Sequence, residues 1–166
     1  TEKYEQLPKD IRWHFIGHLQ SNKVKYIAPF VYLIHSVDSL KLLKELNKEA
    51  KKNDRVIECL LQIYIAKEET KFGLDEKELQ EFVSTNYTNV KISGLMGMAS
   101  FTDDIEKVQE EFKFLKSLFD KYSDRENFDF KILSMGMSAD YNVAIGEGSN
   151  MVRIGSLLFG KRTSST

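Results

Sequence analysis

The feature that most constrains the fold is a regular alternation of short β-like runs with longer helical runs. Consecutive parallel strands need a long crossover connection, which is usually a helix, so this alternation predicts a parallel β-sheet. The third run is almost wholly apolar, as expected of a strand that is buried on both faces. The six predicted strands are residues 12–18, 32–37, 56–65, 90–98, 130–135 and 151–155.

Helical patterns occupy the segments between these strands. Apolar residues recur every three or four positions from Leu40 to Ala50, after Asp38 or Ser39 as a helix cap. The same spacing runs through residues 105–122, with Thr102 or Asp103 as the predicted cap. Shorter helices are predicted from about Asp75, at 23–28 before Pro29, and at 138–147.

The length of each unit favours a barrel. Six units in 166 residues give about 28 residues per unit, and a complete eight-unit barrel has about 31. We therefore predict an α/β fold, an incomplete TIM-type parallel β/α barrel with about six of the eight units, forming a single domain over residues 1–166. A doubly wound open sheet is the rival, although no Gly-x-Gly-x-x-Gly fingerprint follows any strand.

Charge and composition narrow the classes of function. The 24 basic and 25 acidic residues nearly balance, so neither nucleic acid nor an anionic membrane is predicted as the main partner. No apolar run approaches the roughly 20 residues of a membrane span. Cys59 is the single cysteine, which excludes an internal disulfide and fits a reducing compartment. These features predict a soluble cytoplasmic domain.

Candidate ligand-binding residues cluster at the ends of the last two strands. Arg153 lies inside an apolar strand and needs a partner if it is buried. Gly155 and Ser156 follow it directly, and Ser134 and Ser138 bracket the end of the preceding strand. Barrels commonly hold phosphate with these two loops, and helix N-termini bind anions. Ser138 is predicted to cap the helix after it, and the cluster favours a phosphorylated ligand.

Other reactive side chains carry weaker signals. His14, His18 and His35 are interpreted as hydrogen-bonded histidines at the rim, because no carboxylate or cysteine stands at metal-ligand spacing from them. Cys59 lies among apolar strand residues, so a buried inert thiol is predicted. No catalytic triad or paired carboxylate is evident, and neither a catalytic residue nor a metal site is predicted.

Several motifs resemble those of the pyridoxal phosphate homeostasis proteins. One is Trp-His-Phe-Ile-Gly-His-Leu-Gln-Ser-Asn-Lys at 13–23. The others are Ser-Met-Gly-Met-Ser at 134–138, Met-Val-Arg-Ile-Gly-Ser at 151–156 and Phe-Gly at 159–160. Segments 34–39 and 69–73 agree with the stretches between them. The resemblance extends over essentially the whole chain.

The resemblance implies a barrel like the N-terminal domain of alanine racemase. It also implies a protein that binds pyridoxal 5′-phosphate, has no established catalytic activity and serves vitamin B6 homeostasis. It implies that Arg153 faces the pyridine nitrogen. It also implies that Ser134, Ser138, Gly155 and Ser156 hold the phosphate. Asn22 and Lys23 match a family motif without an assigned contact.

Two family motifs are absent from the sequence. The Schiff-base lysine motif of the first strand and the Gly-Glu-Asn-Tyr type motif of the second do not occur. The resemblance therefore implies an N-terminal truncation of two β/α units. With Lys23 and Lys71 as the lysines nearest the rim, this chain is expected to form no specific aldimine. Its open barrel edges are expected to allow self-association.

A cofactor-binding protein without catalysis is the leading hypothesis. An arginine opposite the pyridine nitrogen keeps it unprotonated, which weakens the ring as an electron sink. The sequence ends at residues 161–166 without the second domain that supplies an acid/base group in racemases. The alternative is a pyridoxal-phosphate-dependent enzyme related to alanine racemase, and a third possibility is a scaffold that no longer binds cofactor.

Overall fold

The computed structural model describes residues 1–66, 72–83, 87–123 and 130–160. Within these ranges six parallel strands form one sheet in the order in which they occur along the chain, so every neighbouring pair is joined by a crossover. The sheet curls into an open half-barrel with β1 and β6 at its edges, which confirms the predicted fold class. The strands are β1 (His14–Phe15), β2 (Leu33–Val37), β3 (Ile57–Ile63), β4 (Val90–Gly97), β5 (Ile132–Met137) and β6 (Met151–Arg153).

The sheet separates two hydrophobic cores. A large core lies between the sheet and the helices, and it includes the fully buried Leu43, Phe112 and Leu115. A small one lies inside the curl, which we call the lumen, and is built on Leu33, Leu60 and Met96. Of the described helices, none is long and apolar enough to cross a membrane. The helices are α1 (Glu2–Gln6), α2 (Val24–Ile27) after a 3₁₀ turn at Ser21–Lys23, α3 (Leu40–Lys52), α4 (Glu76–Val83), α5 (Ile105–Ser123), α6 (Tyr141–Gly146) and α7 (Ser156–Phe159).

The helix caps follow local hydrogen-bonding chemistry. Ser39 caps α3 by accepting a hydrogen bond from the Leu42 amide at 3.3 Å, as predicted. Asp75 caps α4 through the Glu78 amide at 2.7 Å. The predicted cap of α5 was wrong, because Asp104, directly before the helix, accepts from the Lys107 amide at 3.1 Å.

The edge strands are shorter than predicted. β1 has only two residues instead of seven, and it pairs with β2 alone within the described ranges. The Trp13 carbonyl still accepts from the amides of Tyr32 and Leu33, which extends the contact beyond the strand itself. An edge strand has one neighbour, so its ladder ends where that neighbour curves away.

The close approach of β5 to Gly94 gives a test of the sheet. Gly94 has φ +153°, and a Cβ added there would lie 1.8 Å from the Ile132 carbonyl oxygen. We expect Gly94→Ala to lower the free energy of unfolding by about 3 kcal/mol, because backbone cannot yield as a side-chain tip can. Urea denaturation measures this. Gly146→Ala is the control, because nothing lies within 4 Å of its added Cβ; a loss of similar size there would contradict the explanation.

Candidate ligand site at the carboxyl ends of the strands

Every second residue of a strand faces the lumen, and these residues are apolar in its lower half and polar in its upper half. Leu33, Leu60 and Ile132 contribute to the apolar part. Two residues further along the same strands stand His35, Gln62 and Ser134, which are at most 4% exposed. The buried polar side chains therefore lie toward the carboxyl ends of the strands, where parallel barrels place their ligand sites.

Arg153 is the charged centre of this polar layer. Its Nη1 donates to the Ser134 carbonyl at 2.9 Å and to the Ser134 hydroxyl at 2.8 Å. Its Nη2 donates to the Gly97 carbonyl at 2.9 Å. The guanidinium is thus anchored to β4 and β5 by neutral acceptors, and Arg153 is 8% exposed.

One donor of Arg153 has no partner in the described part of the chain. The Nε atom is buried and makes no hydrogen bond. Among the residues described, no carboxylate lies within ion-pair distance of the guanidinium. Burial lowers the pKa of Arg153 to about 10, against the opposing field of Asp140, so the side chain stays charged at neutral pH. A buried cation with a spare donor requires an acceptor.

His35 stands against Ser134 on the other side. Its Nδ1 lies 3.0 Å from the Ser134 hydroxyl, and its Nε2 lies 3.1 Å from Nδ1 of His14. Burial lowers the pKa of His35 to about 3, with further lowering from His14 and Arg153. His35 is therefore neutral at physiological pH. The prediction that these histidines are hydrogen-bonded is confirmed, and His18 likewise contacts Asp38 at 3.1 Å.

The second group joins the loops after β5 and β6. The prediction that Ser138 caps the helix after it is wrong, because α6 begins only at Tyr141 and its cap position is Asp140. Instead the Ser138 hydroxyl accepts from the amides of Gly155 at 3.2 Å and Leu157 at 3.4 Å. The Asp140 carboxylate accepts from the Met137 amide at 2.6 Å across the turn between β5 and α6.

The predicted site residues therefore fall into two sets. Ser134 joins Arg153 in the lumen, and Ser138 joins Gly155 at the rim, beside the exposed Ser156 that begins α7. His14, His35 and Gly97 were missed as parts of the polar layer. The position of His35, two residues after Leu33, was the signal available.

The remaining candidates lie elsewhere. Lys23 is exposed, with its Nζ 5.8 Å from the centre of the Tyr26 ring, and Lys71 lies outside the described residues. Cys59 is fully buried, and burial raises the pKa of its thiol, as the predicted inert role requires. In the part of the chain that the structure describes, no three histidine, cysteine or carboxylate side chains are grouped as metal ligands.

The neutral state of His35 predicts a pH dependence of stability. The unfolded chain takes up a proton at His35 near pH 6.5, whereas the folded chain does not until about pH 3. Stability is therefore complete above pH 6.5 and falls as the pH drops, by up to about 2 kcal/mol between pH 6.5 and 5. Urea titrations at pH 7, 6 and 5 measure the slope. His35→Asn should flatten it, and an unchanged slope would show that another group is responsible.

Known proteins resemble the chain in sequence. The family described as "Alanine racemase, N-terminal domain" matches residues 6–163. The pyridoxal phosphate homeostasis protein of Aquifex aeolicus (strain VF5) is 44% identical over 164 residues, covering 97% of this chain and 72% of the relative. The match thus extends over nearly all of this chain and about three quarters of its relative.

Solved structures agree with the sequence matches. PipY of Synechococcus elongatus PCC7942, solved with PLP bound, superposes with a TM-score of 0.84 at 30% identity, over 96% of this chain and 74% of that one. An alanine racemase from Clostridium difficile 630 gives 0.70 at 19% identity over 94% and 42% of the two chains, which shows a shared fold. With motifs, fold and relatives in agreement, the chain belongs to the pyridoxal phosphate homeostasis protein family, whose barrel is that of the alanine racemase N-terminal domain.

Proposed function

We propose that this chain binds pyridoxal 5′-phosphate and serves intracellular vitamin B6 homeostasis without catalysing a reaction. The observation that carries the proposal is the buried Arg153 guanidinium, whose Nε–H lacks a partner in the described part of the chain. A pyridine nitrogen is a neutral acceptor that lies in the plane of a flat, mostly apolar ring. Such a ring suits a lumen that is apolar apart from its polar upper layer.

The ring end of the ligand would be held by Arg153. Arg153 can donate a hydrogen bond to the pyridine nitrogen and cannot accept one from it, because guanidinium nitrogens only donate. We assign Ser134 to the support of Arg153 rather than to the phosphate, since its hydroxyl and carbonyl already bind the guanidinium.

The phosphate end would be held where Ser138 meets Gly155 and Ser156. The Ser138 hydroxyl now accepts from two backbone amides. A phosphate oxygen is a stronger acceptor than a hydroxyl and can take over these donors while accepting the Ser138 proton. Gly155 has open space at its Cβ position, so the backbone can be approached closely.

The polar layer favours binding over catalysis. Bound pyridoxal phosphate supplies an electron sink for carbanion chemistry, and this sink is strongest when its ring nitrogen is protonated. Arg153 cannot supply that proton at neutral pH, because its pKa stays at about 10. His35, with a pKa of about 3, is also far from the range of a general acid or base. The racemase-related enzyme is the alternative function.

We also propose a cytoplasmic location and contact between copies at the sheet edges. β1 and β6 each have one strand neighbour within the described ranges. Beside β6, the side chains of Leu157, Leu158 and Phe159 are at least 60% exposed. Unpaired edges flanked by apolar side chains promote association.

Binding can be tested by equilibrium dialysis and absorbance with pyridoxal 5′-phosphate, pyridoxal and inorganic phosphate. We expect the phosphorylated vitamer to bind most tightly. Ser138→Ala should weaken it about tenfold, by removing one hydrogen bond to a charged group, without affecting pyridoxal. Ser117→Ala is the matched control, since Ser117 is exposed on α5 and contacts only the Phe114 carbonyl among described residues. Equal affinity for all three compounds would argue against the site.

Catalysis can be tested separately. We expect the chain, mixed with pyridoxal 5′-phosphate and each of several L-amino acids, to show no racemisation or transamination above that of free cofactor. Chiral chromatography of the amino acid and absorbance of the cofactor are the measurements. Turnover that disappears in Arg153→Met would instead favour the racemase-related enzyme.

A further inference from the structure

Four side chains from four strands form a continuous chain of hydrogen bonds in the upper lumen. His14 of β1 contacts His35 of β2 at 3.1 Å. His35 contacts Ser134 of β5 at 3.0 Å, and Ser134 accepts from Arg153 of β6 at 2.8 Å. His14 lies at the exposed edge, whereas the other three residues are buried. The chain of hydrogen bonds therefore connects the interior guanidinium to the β1 edge of the sheet.

The donors and acceptors at its two ends determine the direction in which these hydrogen bonds are donated. A guanidinium only donates, so the Ser134 hydroxyl must accept from Arg153. Its own proton is then available for Nδ1 of His35. A neutral imidazole carries one N–H, so His35 is protonated on Nε2 and donates to Nδ1 of His14.

The opposite direction leaves a proton without an acceptor. If His35 donated through Nδ1, the Ser134 hydroxyl would accept two hydrogen bonds. Its own proton would then have no acceptor on the described residues, in a site where Ser134 is fully buried. An unpartnered buried hydroxyl costs about 1–3 kcal/mol, so the first direction is favoured.

We propose that His35 is a positioning residue for Arg153, oriented in turn by His14, and that this makes the site selective for ligands with an unprotonated ring nitrogen. The ligand itself rests on the proposed function. By accepting a hydrogen bond from the Ser134 hydroxyl, His35 makes that oxygen a better acceptor for Nη1. Ser134 and Gly97 occupy three of the five guanidinium N–H groups, which fixes the plane of the group, and Nε–H is a donor that no described residue accepts from. A protonated ring nitrogen would be repelled, because its N–H would face the Nε–H donor and its positive charge would face that of the guanidinium.

The charges around the chain suit this role. Arg153 is the only one of the four residues that is charged at neutral pH, and the negative charge of Asp140, in the turn after β5, favours that charged form. Among described residues, no carboxylate contacts His35. Burial and the neighbouring Arg153 keep His35 neutral, so the direction of the chain is maintained.

The direction can be measured without any ligand. The whole chain has three histidines, so long-range ¹H–¹⁵N spectra of the labelled protein can resolve each ring. We expect His35 with Nε2 protonated and Nδ1 as an acceptor, and Ser134→Ala should shift the Nδ1 signal. A proton on Nδ1 of His35 would overturn the proposal. This result stands or falls independently of cofactor binding.

The selectivity is tested with two ligands. One is pyridoxal 5′-phosphate, and the other is its analogue with C–H in place of the ring nitrogen. We expect His35→Phe to weaken the first about tenfold and the second less than about twofold, because only the first contacts Nε–H. His35→Asn should restore most of the loss, since its amide oxygen can accept from Ser134.

The outcomes separate the two claims. Equal losses for both ligands in His35→Phe, with a wild-type-like ¹H–¹⁵N spectrum, would mean a merely structural histidine and would overturn the proposal. Failure of the unmodified chain to bind either ligand would reject the proposed function and with it the selectivity. The orientation of His35 would then be judged by the ligand-free spectra.

Discussion

The burial of one guanidinium is the constraint on which the upper lumen depends. A cation can be removed from water only if its donors find acceptors. Here those acceptors come from neighbouring strands: the Gly97 carbonyl of β4 and two oxygens of Ser134 in β5. Their positions depend on parallel register, because Met96 pairs with Ser134 and Met137 pairs with Arg153. The pairing of the strands therefore determines where the acceptors of the Arg153 guanidinium lie.

The tight turns around this arrangement leave little freedom. Gly136 has φ +94°, and an added Cβ would lie 2.6 Å from the Ala144 Cβ. The Ser100 amide and hydroxyl both bind the buried carboxylate of Glu111, at 2.6 and 2.7 Å. The end of β5 is thus held by packing and the loop after β4 by a buried acid, which keeps the neighbouring carbonyls in place.

Local signals in the sequence predicted the fold well, because strand–helix alternation and periodicity act over short distances. All six strands, the cap Ser39 and the start of a helix near Asp75 followed from them. They failed where the partner is remote. Ser138 has a helix just ahead of it, but its hydroxyl binds amides 17 and 19 residues away. The contact of His35 with Ser134 spans 99 residues, and no local pattern encodes such a distance. Arg153 could be singled out because a charge in an apolar strand is conspicuous by itself.

The hydrogen bonds from the amides of Gly155 and Leu157 to the Ser138 hydroxyl keep the loops after β5 and β6 together. The Ser138 hydroxyl accepts a hydrogen bond from each of these two amides. A phosphate bound at the proposed site would exchange one acceptor for another instead of ordering a loose loop, and on its release the hydroxyl would accept from the same amides again. Binding and release at this proposed site would then require little rearrangement of the backbone, and the exchange of acceptors would be readily reversible.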